Sequence, residues 1–293
     1  MVAIKSFGEA VSFLTSNPRV ILVPLIFLLI LAPINTYVQK DNVLKSLENL
    51  EKGSIILEEH GANEELTSEQ LRALLIVALL YMLFLSAAQY SVTIYTHRRR
   101  LGEDLGIGDA LISGLENVIP AFIVTLISVI ILGLIAVIIA VPFSIIIGIG
   151  VIGGSEGMIT VGMLALLAVE FFAITFFGGA ASVIFPAYVV NNSIRRGIEE
   201  FLLPLRKPKS TLGFGLLLML TVFTLYIVAS IFVFLPLIFS RSLAGLLLGA
   251  LLQAPVMALL HAFTSVASLS FYENLREELL NQAQSIMTDV RTY

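Results

Sequence analysis

Polar side chains inside long apolar runs are the residues of this chain best placed to do chemistry. Glu170 lies in the middle of the apolar run 158–187. Gln89, Gln253 and His261 lie in two further runs. A carboxylate at the centre of a bilayer costs about 2.5–3.5 kcal/mol on insertion scales, so Glu170 needs a partner, a proton or water. These four residues are the intramembrane polar candidates.

Gln253 is the predicted partner of Glu170, because the two residues lie at similar depth when each run is counted inward from its outer end. Gly245 and Gly249 precede Gln253 at a spacing of four residues. Small residues at that spacing let two membrane helices approach closely. Two interpretations stay open: a polar clasp between helices, or a protonatable or ligand-binding centre in a cavity.

Catalytic and metal-binding motifs are not apparent in the sequence. The chain has no cysteine, which excludes disulfides, thiolate nucleophiles and cysteine-ligated metals. His60, His97 and His261 are too far apart in sequence and in predicted depth to bind one metal ion. No Ser-His-Asp grouping or phosphate-binding glycine loop can be assembled. We therefore predict no catalytic residue, no cofactor and no metal.

Six apolar runs place the polar candidates in a membrane. They cover residues 20–38, 73–96, 118–141, 158–187, 212–239 and 243–270. Each run can cross a hydrocarbon layer about 30 Å thick, which takes roughly 20 helical residues. Because a backbone amide without a partner costs several kcal/mol in lipid, these runs must be helices. The fold class is all-α, a polytopic membrane protein with six transmembrane helices.

Composition agrees with a membrane protein. Hydrophobic residues make up 58% of the chain and charged residues 13%, with a mean hydropathy of +0.98. Soluble domains carry about 25% charged residues, so a water-soluble core is excluded. The formal net charge is −4, and no basic footprint for nucleic acid is present.

Basic residues near the spans predict that both termini are cytoplasmic. That orientation leaves only Lys40, Lys45, Lys52, Arg72 and Arg241 of the 17 lysines and arginines on the outer side. The remaining basic residues include two clusters in short loops, Arg98, Arg99, Arg100 and Arg206, Lys207, Lys209. These clusters determine topology first, and they are also candidates for contact with anionic lipid headgroups. We expect the plasma membrane as the location.

A short amphipathic segment precedes the first, third and fifth spans. Its apolar face is formed by Ile4, Phe7, Val11 and Leu14 in the first segment, by Leu111, Ile112, Leu115 and Val118 in the second, and by Ile194, Ile198, Phe201, Leu202 and Leu205 in the third. We predict three hairpins of spans, each above an interfacial cytoplasmic helix. A true duplication with a threefold ring and an irregular six-helix bundle both stay open.

Segments at the ends of the spans carry further predictions. Asn17 and Pro18 are expected to begin the first helix, and Thr67 with Gln70 to cap the second. Residues 39–70 form an acidic extracytoplasmic segment, either a solvated cap or a surface for a cation or partner.

Two other segments lie beyond spans. Pro142 and the glycines up to Gly157 are expected to break the third helix and give an interfacial or re-entrant loop. Residues 271–293 form an amphipathic cytoplasmic C-terminal helix, whose polar face includes Glu273, Glu277 and Glu278.

The pattern resembles a loose group of prokaryotic membrane proteins, which includes the membrane domain attached to some glycerophosphodiester phosphodiesterases. The likeness rests on Gly8-Glu9-Ala10, on Gly108-Asp109-Ala110 and on the loop from Phe185-Pro186-Ala187-Tyr188 through Glu199. It covers most of the chain and implies architecture only. The catalytic barrel that accompanies the domain in some relatives is expected to be absent, so the resemblance implies no phosphodiesterase activity.

The leading functional hypothesis is a non-enzymatic membrane protein that binds or passes an apolar or amphipathic molecule, or supports a membrane assembly. In this hypothesis Glu170 and Gln253 line a polar interior. A structural scaffold or accessory subunit is the alternative, and an intramembrane enzyme is the second alternative. The expected partners are membrane lipids and a second copy or another membrane protein, and no nucleic acid.

Overall fold

The computed structural model describes residues 2–51, 68–240 and 242–291. Helices make up 92% of the structure, and the described residues contain no strand. In chain order the helices are α1 Val2–Ser16, α2 Leu22–Glu51, α3 Ser68–Arg100, α4 Ile107–Glu116, α5 Val118–Ile152, α6 Glu156–Ala181, α7 Ile184–Asn191, α8 Ile194–Glu199, α9 Pro208–Phe239 and α10 Leu243–Arg291. Short 3-10 turns lie at Pro18–Ile21, Glu200–Leu202 and Pro204–Arg206.

Six of the described helices are long and apolar enough to cross a membrane: α2, α3, α5, α6 continued by α7, α9 and α10. Each of the six predicted runs lies in one of them, so the all-α class and the six candidate spans are confirmed. The cap expected at Thr67 lies outside the described residues, as do residues 52–67, which make up half of the acidic segment. Asn17 stands where the first turn begins, but its Nδ2 donates to the Phe13 carbonyl at 3.2 Å and its side chain caps no amide.

The prediction that Pro142 breaks the third helix is wrong. α5 continues through Pro142 to Ile152, and the chain turns at Gly153 and Gly154, where Gly154 has a φ of 65°. A proline removes one amide donor, whereas ending a helix in lipid leaves several backbone groups without partners. The segment from Pro142 to Ile152 is therefore helical and not re-entrant, and the turn is confined to Gly153, Gly154 and Ser155.

The sixth span and the C-terminal segment form one helix. α10 has 49 residues, which corresponds to a length of about 74 Å at about 1.5 Å per residue. No glycine or proline follows Pro255 within α10, so nothing in the backbone separates the predicted helix 271–293 from the span.

Helix contacts follow a closed ring in the order α2, α3, α5, α6, α9 and α10. α10 packs along both α2 and α9, and it also contacts α1 and α3. α5 packs along α6, and α6 crosses α9 at two glycines. A Cβ at Gly179 would lie 2.6 Å from the Thr211 carbonyl oxygen and 3.1 Å from the Gly215 Cα. Only glycine allows the two backbones to approach this closely.

The bundle has two different halves. We call the side on which α1, α4 and α8 lie the basal side, and the opposite side the distal side. In the basal half Phe214 and Phe271 stack with centroids 4.1 Å apart, and Phe7 meets Phe214 edge-on at 5.4 Å. In the distal part of α5, Ile138 and Ile152 are 70% and 89% exposed. Exposed apolar surface of this kind is expected where the surroundings are lipid.

Candidate ligand cavity between the helices

A cavity of about 730 Å³ lies between α2, α3, α9 and α10. Its walls are formed by Leu28, Asn35 and Thr36 of α2, by Leu74, Val77, Ala78, Tyr81 and Leu85 of α3, by Tyr226 and Val233 of α9, and by Leu246, Ala250, Gln253, Met257 and His261 of α10. The volume falls within the range of about 300–1,000 Å³ that is typical of small-molecule sites.

Helical periodicity explains which residues reach the cavity. The lining residues of α10 follow each other every three or four positions from Leu246 to His261, so they share one face of the helix. That distance along the axis is roughly 22 Å at about 1.5 Å per residue. At the depth of Leu28 and Leu85, the rings of Phe27 and Phe84 pack with centroids 6.0 Å apart. The cavity thus runs from the distal end to about the middle of the bundle.

Polar groups are few in the cavity and lie at two levels. Asn35 and Thr36 are near the distal end, and the Thr36 hydroxyl donates to the Ala32 carbonyl at 2.8 Å within its own helix. Tyr81, Tyr226 and His261 form the second level, nearer the middle of the bundle, and Gln253 lies between the two levels. An apolar wall with a few polar groups is the usual composition of a ligand site.

Two of the four polar candidates, Gln253 and His261, line this cavity. Glu170 does not. It lines a separate crevice of about 40 Å³ between α5 and α6, whose other walls are Leu132, Ile135, Ala136, Ile139, Ala173, Ile174 and Phe177. The predicted pairing of Glu170 with Gln253 is therefore wrong. Gln89 is half-buried on α3 and lines neither space.

The predicted glycine pattern lies against α9. A Cβ at Gly249 would come within 2.6 Å of the Val233 carbonyl oxygen, and one at Gly245 would overlap the Ser240 carbonyl. The two glycines let α10 approach the distal end of α9. This close approach places Val233 and Leu246 together in the cavity wall.

A polar network on the basal side is absent from the sequence predictions. Glu273 of α10 accepts a hydrogen bond from Arg100 Nη1 at 2.6 Å, and its other oxygen lies 3.0 Å from His97 Nδ1. Asn274 donates to the Glu9 carboxylate of α1 at 2.8 Å, and Lys207 contacts Glu278 at 2.6 Å. The network ties α1, the end of α3 and the start of α9 to α10.

The distribution of charges in the sequence could have predicted this network. Glu273, Glu277 and Glu278 follow the sixth span and have charge opposite to that of the basic clusters. Periodicity alone places them on the solvated face of the C-terminal helix, whereas Glu273 and Glu278 contact α3 and the residue before α9. Of the six candidates for headgroup contact, Arg98, Arg99, Arg100 and Lys207 contact a carboxylate of the chain. Arg206 and Lys209 form no ion pair within the described part of the protein.

Metal binding has no support in the described residues, where no three His, Asp or Glu side chains cluster. Comparison with protein-family models, with curated proteins and with solved structures finds no match to this chain. The resemblance to the phosphodiesterase-associated membrane domain therefore stays a prediction.

Proposed function

We propose that this chain is an integral membrane protein that binds an amphipathic molecule in the cavity between α2, α3, α9 and α10. The observation that carries the proposal is a mainly apolar space of about 730 Å³ that reaches the middle of six apolar helices and holds Gln253 and His261. An acyl chain would fill the apolar part. The amide and imidazole groups would donate to or accept from a polar group of the ligand.

The membrane arrangement supports this proposal. We propose that the six helices cross as three consecutive hairpins, with the basal side cytoplasmic, in the plasma membrane. The basic residues of the basal side support that orientation. α1, α4 and α8 would then lie in the cytoplasmic interface, and the cavity, which begins at the distal end, would lie in the outer half of the bilayer, where acyl chains are at hand as ligands.

A photoreactive amphiphile tests the proposal directly. The protein is reconstituted in liposomes with a fatty acid that carries a diazirine in its chain, irradiated, digested and mapped by mass spectrometry. We expect labelling of α3 and α10 residues that line the cavity. Ala250→Phe places a ring in the cavity and should remove this labelling, and Ala250→Leu should reduce it less.

The matched control is Ala168→Phe, which adds the same ring on an exposed position of α6 away from the cavity. It should leave the labelling of α10 unchanged. Overpacking costs about 1–3 kcal/mol, so thermal unfolding of each variant shows whether the fold survives. Equal labelling of α10 in the Ala250→Phe protein and in the wild type would refute the proposed site.

A second candidate function, that of an accessory subunit, is favoured by Glu170. No residue in the described ranges forms a hydrogen bond or an ion pair with its carboxylate, although the crevice around it is apolar. Such a group in a membrane needs a partner, a proton or water, and a donor on another transmembrane chain would satisfy it. Cross-linking in native membranes, followed by mild purification, should then give a companion protein whose yield falls in Glu170→Gln. The same companion and yield for the variant would argue against this function.

A further inference from the structure

Basic side chains on the basal side divide into two groups when their partners are compared, apart from Arg276, which contacts the Tyr272 hydroxyl at 3.5 Å. The first group contacts carboxylates of the chain and consists of Lys5, Arg98, Arg99, Arg100, Arg195 and Lys207. The second group is exposed and makes no ion pair or side-chain hydrogen bond with any residue that the structure describes: Arg19, Arg196, Arg206 and Lys209. Three members of the second group lie within residues 196–209.

Nearby carboxylates do not neutralise these three residues. Glu199 is held by Arg195, whose Nε donates to its Oε1 at 2.7 Å. Glu200 turns one carboxylate oxygen inward, where Oε2 is buried without a hydrogen-bond partner, and its single charge offsets at most one of the three. Arg196, Arg206 and Lys209 therefore leave a net positive surface at the start of α9.

The backbone that carries this surface is held in place. The Thr211 hydroxyl donates to the Pro204 carbonyl at 2.7 Å and fixes the 3-10 turn against α9. α8 lies against α7 so closely that a Cβ at Gly197 would come within 2.9 Å of the Ile184 carbonyl oxygen. The basic side chains thus project from a fixed platform, which lowers the entropy lost on binding.

Apolar residues beside the three basic residues indicate how deep this basic surface lies in the membrane. Leu202, between Arg196 and Arg206, is 59% exposed. The lipid-facing row of α9 begins at Leu212, shortly after Lys209. An exposed leucine flanked by basic residues is the arrangement that lies at the boundary between headgroups and acyl chains.

We propose that Arg196, Arg206 and Lys209 bind the phosphate headgroup of an anionic phospholipid, with Leu202 inserted beside its acyl chains. Arginine and lysine are the donors that recognise phosphate in proteins. The proposal concerns a lipid at the basal surface and is independent of a ligand in the cavity. Most basic residues of the basal side already have partners in the chain, and the proposal concerns three that have none among the described residues.

Native mass spectrometry of the full-length protein tests the proposal. The protein is purified in mild detergent and titrated with phosphatidylglycerol or with phosphatidylcholine of the same acyl chains. The wild type should bind phosphatidylglycerol more tightly. Arg196→Gln/Arg206→Gln/Lys209→Gln should lose this preference, with an affinity loss of about fivefold for each charge removed.

The control is Lys5→Gln/Arg98→Gln/Arg99→Gln, which removes the same number of charges from the same side but takes them from internally paired residues that do not contact Glu199. It should keep the preference for phosphatidylglycerol. Arg206→Lys keeps the charge and should keep most of the binding, and the single variants Arg206→Gln and Lys209→Gln test the proposal where the triple variant does not fold.

Three results would overturn the proposal. They are unchanged phosphatidylglycerol binding in a folded triple variant, an equal loss in the control, and equal wild-type affinity for the two lipids. Inorganic phosphate added at constant ionic strength should not displace the lipid. Displacement would assign the surface to a soluble anion instead.

Discussion

The ion pair between Arg100 and Glu273 should contribute far more to stability than the neighbouring pair between Arg99 and Asp104. The two pairs have nearly equal geometry, with shortest N–O distances of 2.6 and 2.7 Å. They differ in burial: the side chains are 23% and 30% exposed in the first pair and 37% and 86% exposed in the second. Comparing them isolates the effect of burial on an ion pair.

The expected magnitude follows from that burial. Removing one partner from a fully buried pair costs about 3–5 kcal/mol, and exposed pairs contribute about 0.2–1 kcal/mol. With a quarter to a third of its surface still exposed, the Arg100–Glu273 pair should show a coupling energy of about 2 kcal/mol after discounting for solvent screening. The Arg99–Asp104 pair should show about 0.5 kcal/mol or less.

Double-mutant cycles with amide substitutions measure both energies. The variants are Arg100→Gln and Glu273→Gln in one cycle, and Arg99→Gln with Asp104→Asn in the other. Unfolding free energies are taken from reversible denaturation in mixed micelles. The contact between Glu273 and His97 is lost in the Glu273→Gln variant and in the double variant alike, so it cancels from the coupling energy. Equal coupling energies, within an error of about 0.3–0.5 kcal/mol, would refute the conclusion that the basal network holds the end of α3 against α10.

Three further predictions concern packing and depth. Phe214→Ala should destabilise the protein by about 3–5 kcal/mol because a fully buried stacked ring is lost, whereas Phe223→Ala on the lipid-facing side of α9 should have little effect in the same unfolding assay. Gly215→Leu should prevent α6 and α9 from packing and lower the yield of folded protein, whereas Gly133→Leu, which has open space at Cβ, should not. The chain has no tryptophan, so Ile112→Trp supplies a single tryptophan, whose selectively excited emission brominated lipid should quench if α4 lies in the interface.

The six helices could be predicted because the membrane leaves so few choices. A run of apolar residues has to satisfy its own backbone hydrogen bonds, so length and composition decide both the element and its position. The same rule explains the failure at Pro142. A proline followed by glycines reliably indicates a loop in water. In lipid, ending the helix would expose backbone groups without partners, and because that costs more free energy, α5 continues to Ile152.

The cavity could be predicted only in part, because counting residues gives depth but not direction. Depth alone matches Glu170 with Gln253, yet α6 turns Glu170 toward α5 while α10 turns Gln253 toward α2, α3 and α9. Which face of a helix meets which neighbour depends on close contacts such as Gly179 against α9. Pairwise contacts of that kind do not follow from a single apolar run.

Apolar periodicity also fails to separate protein-facing from lipid-facing residues. On α1 the predicted apolar face divides: Phe7 and Leu14 pack against the bundle, whereas Ile4 and Val11 are 64% and 53% exposed. The other α1 residues that meet the bundle include the small side chains Ala3, Ser6 and Ala10. In water the bulky residues would turn inward, since the hydrophobic effect drives them from solvent. In lipid that drive is absent, so small residues are placed where backbones must approach and bulky residues face the acyl chains. Of the four polar residues singled out within the spans, Gln253 and His261 line the large cavity and Glu170 and Gln89 do not. A polar residue within a span therefore points to a particular space only when the neighbouring helix is known.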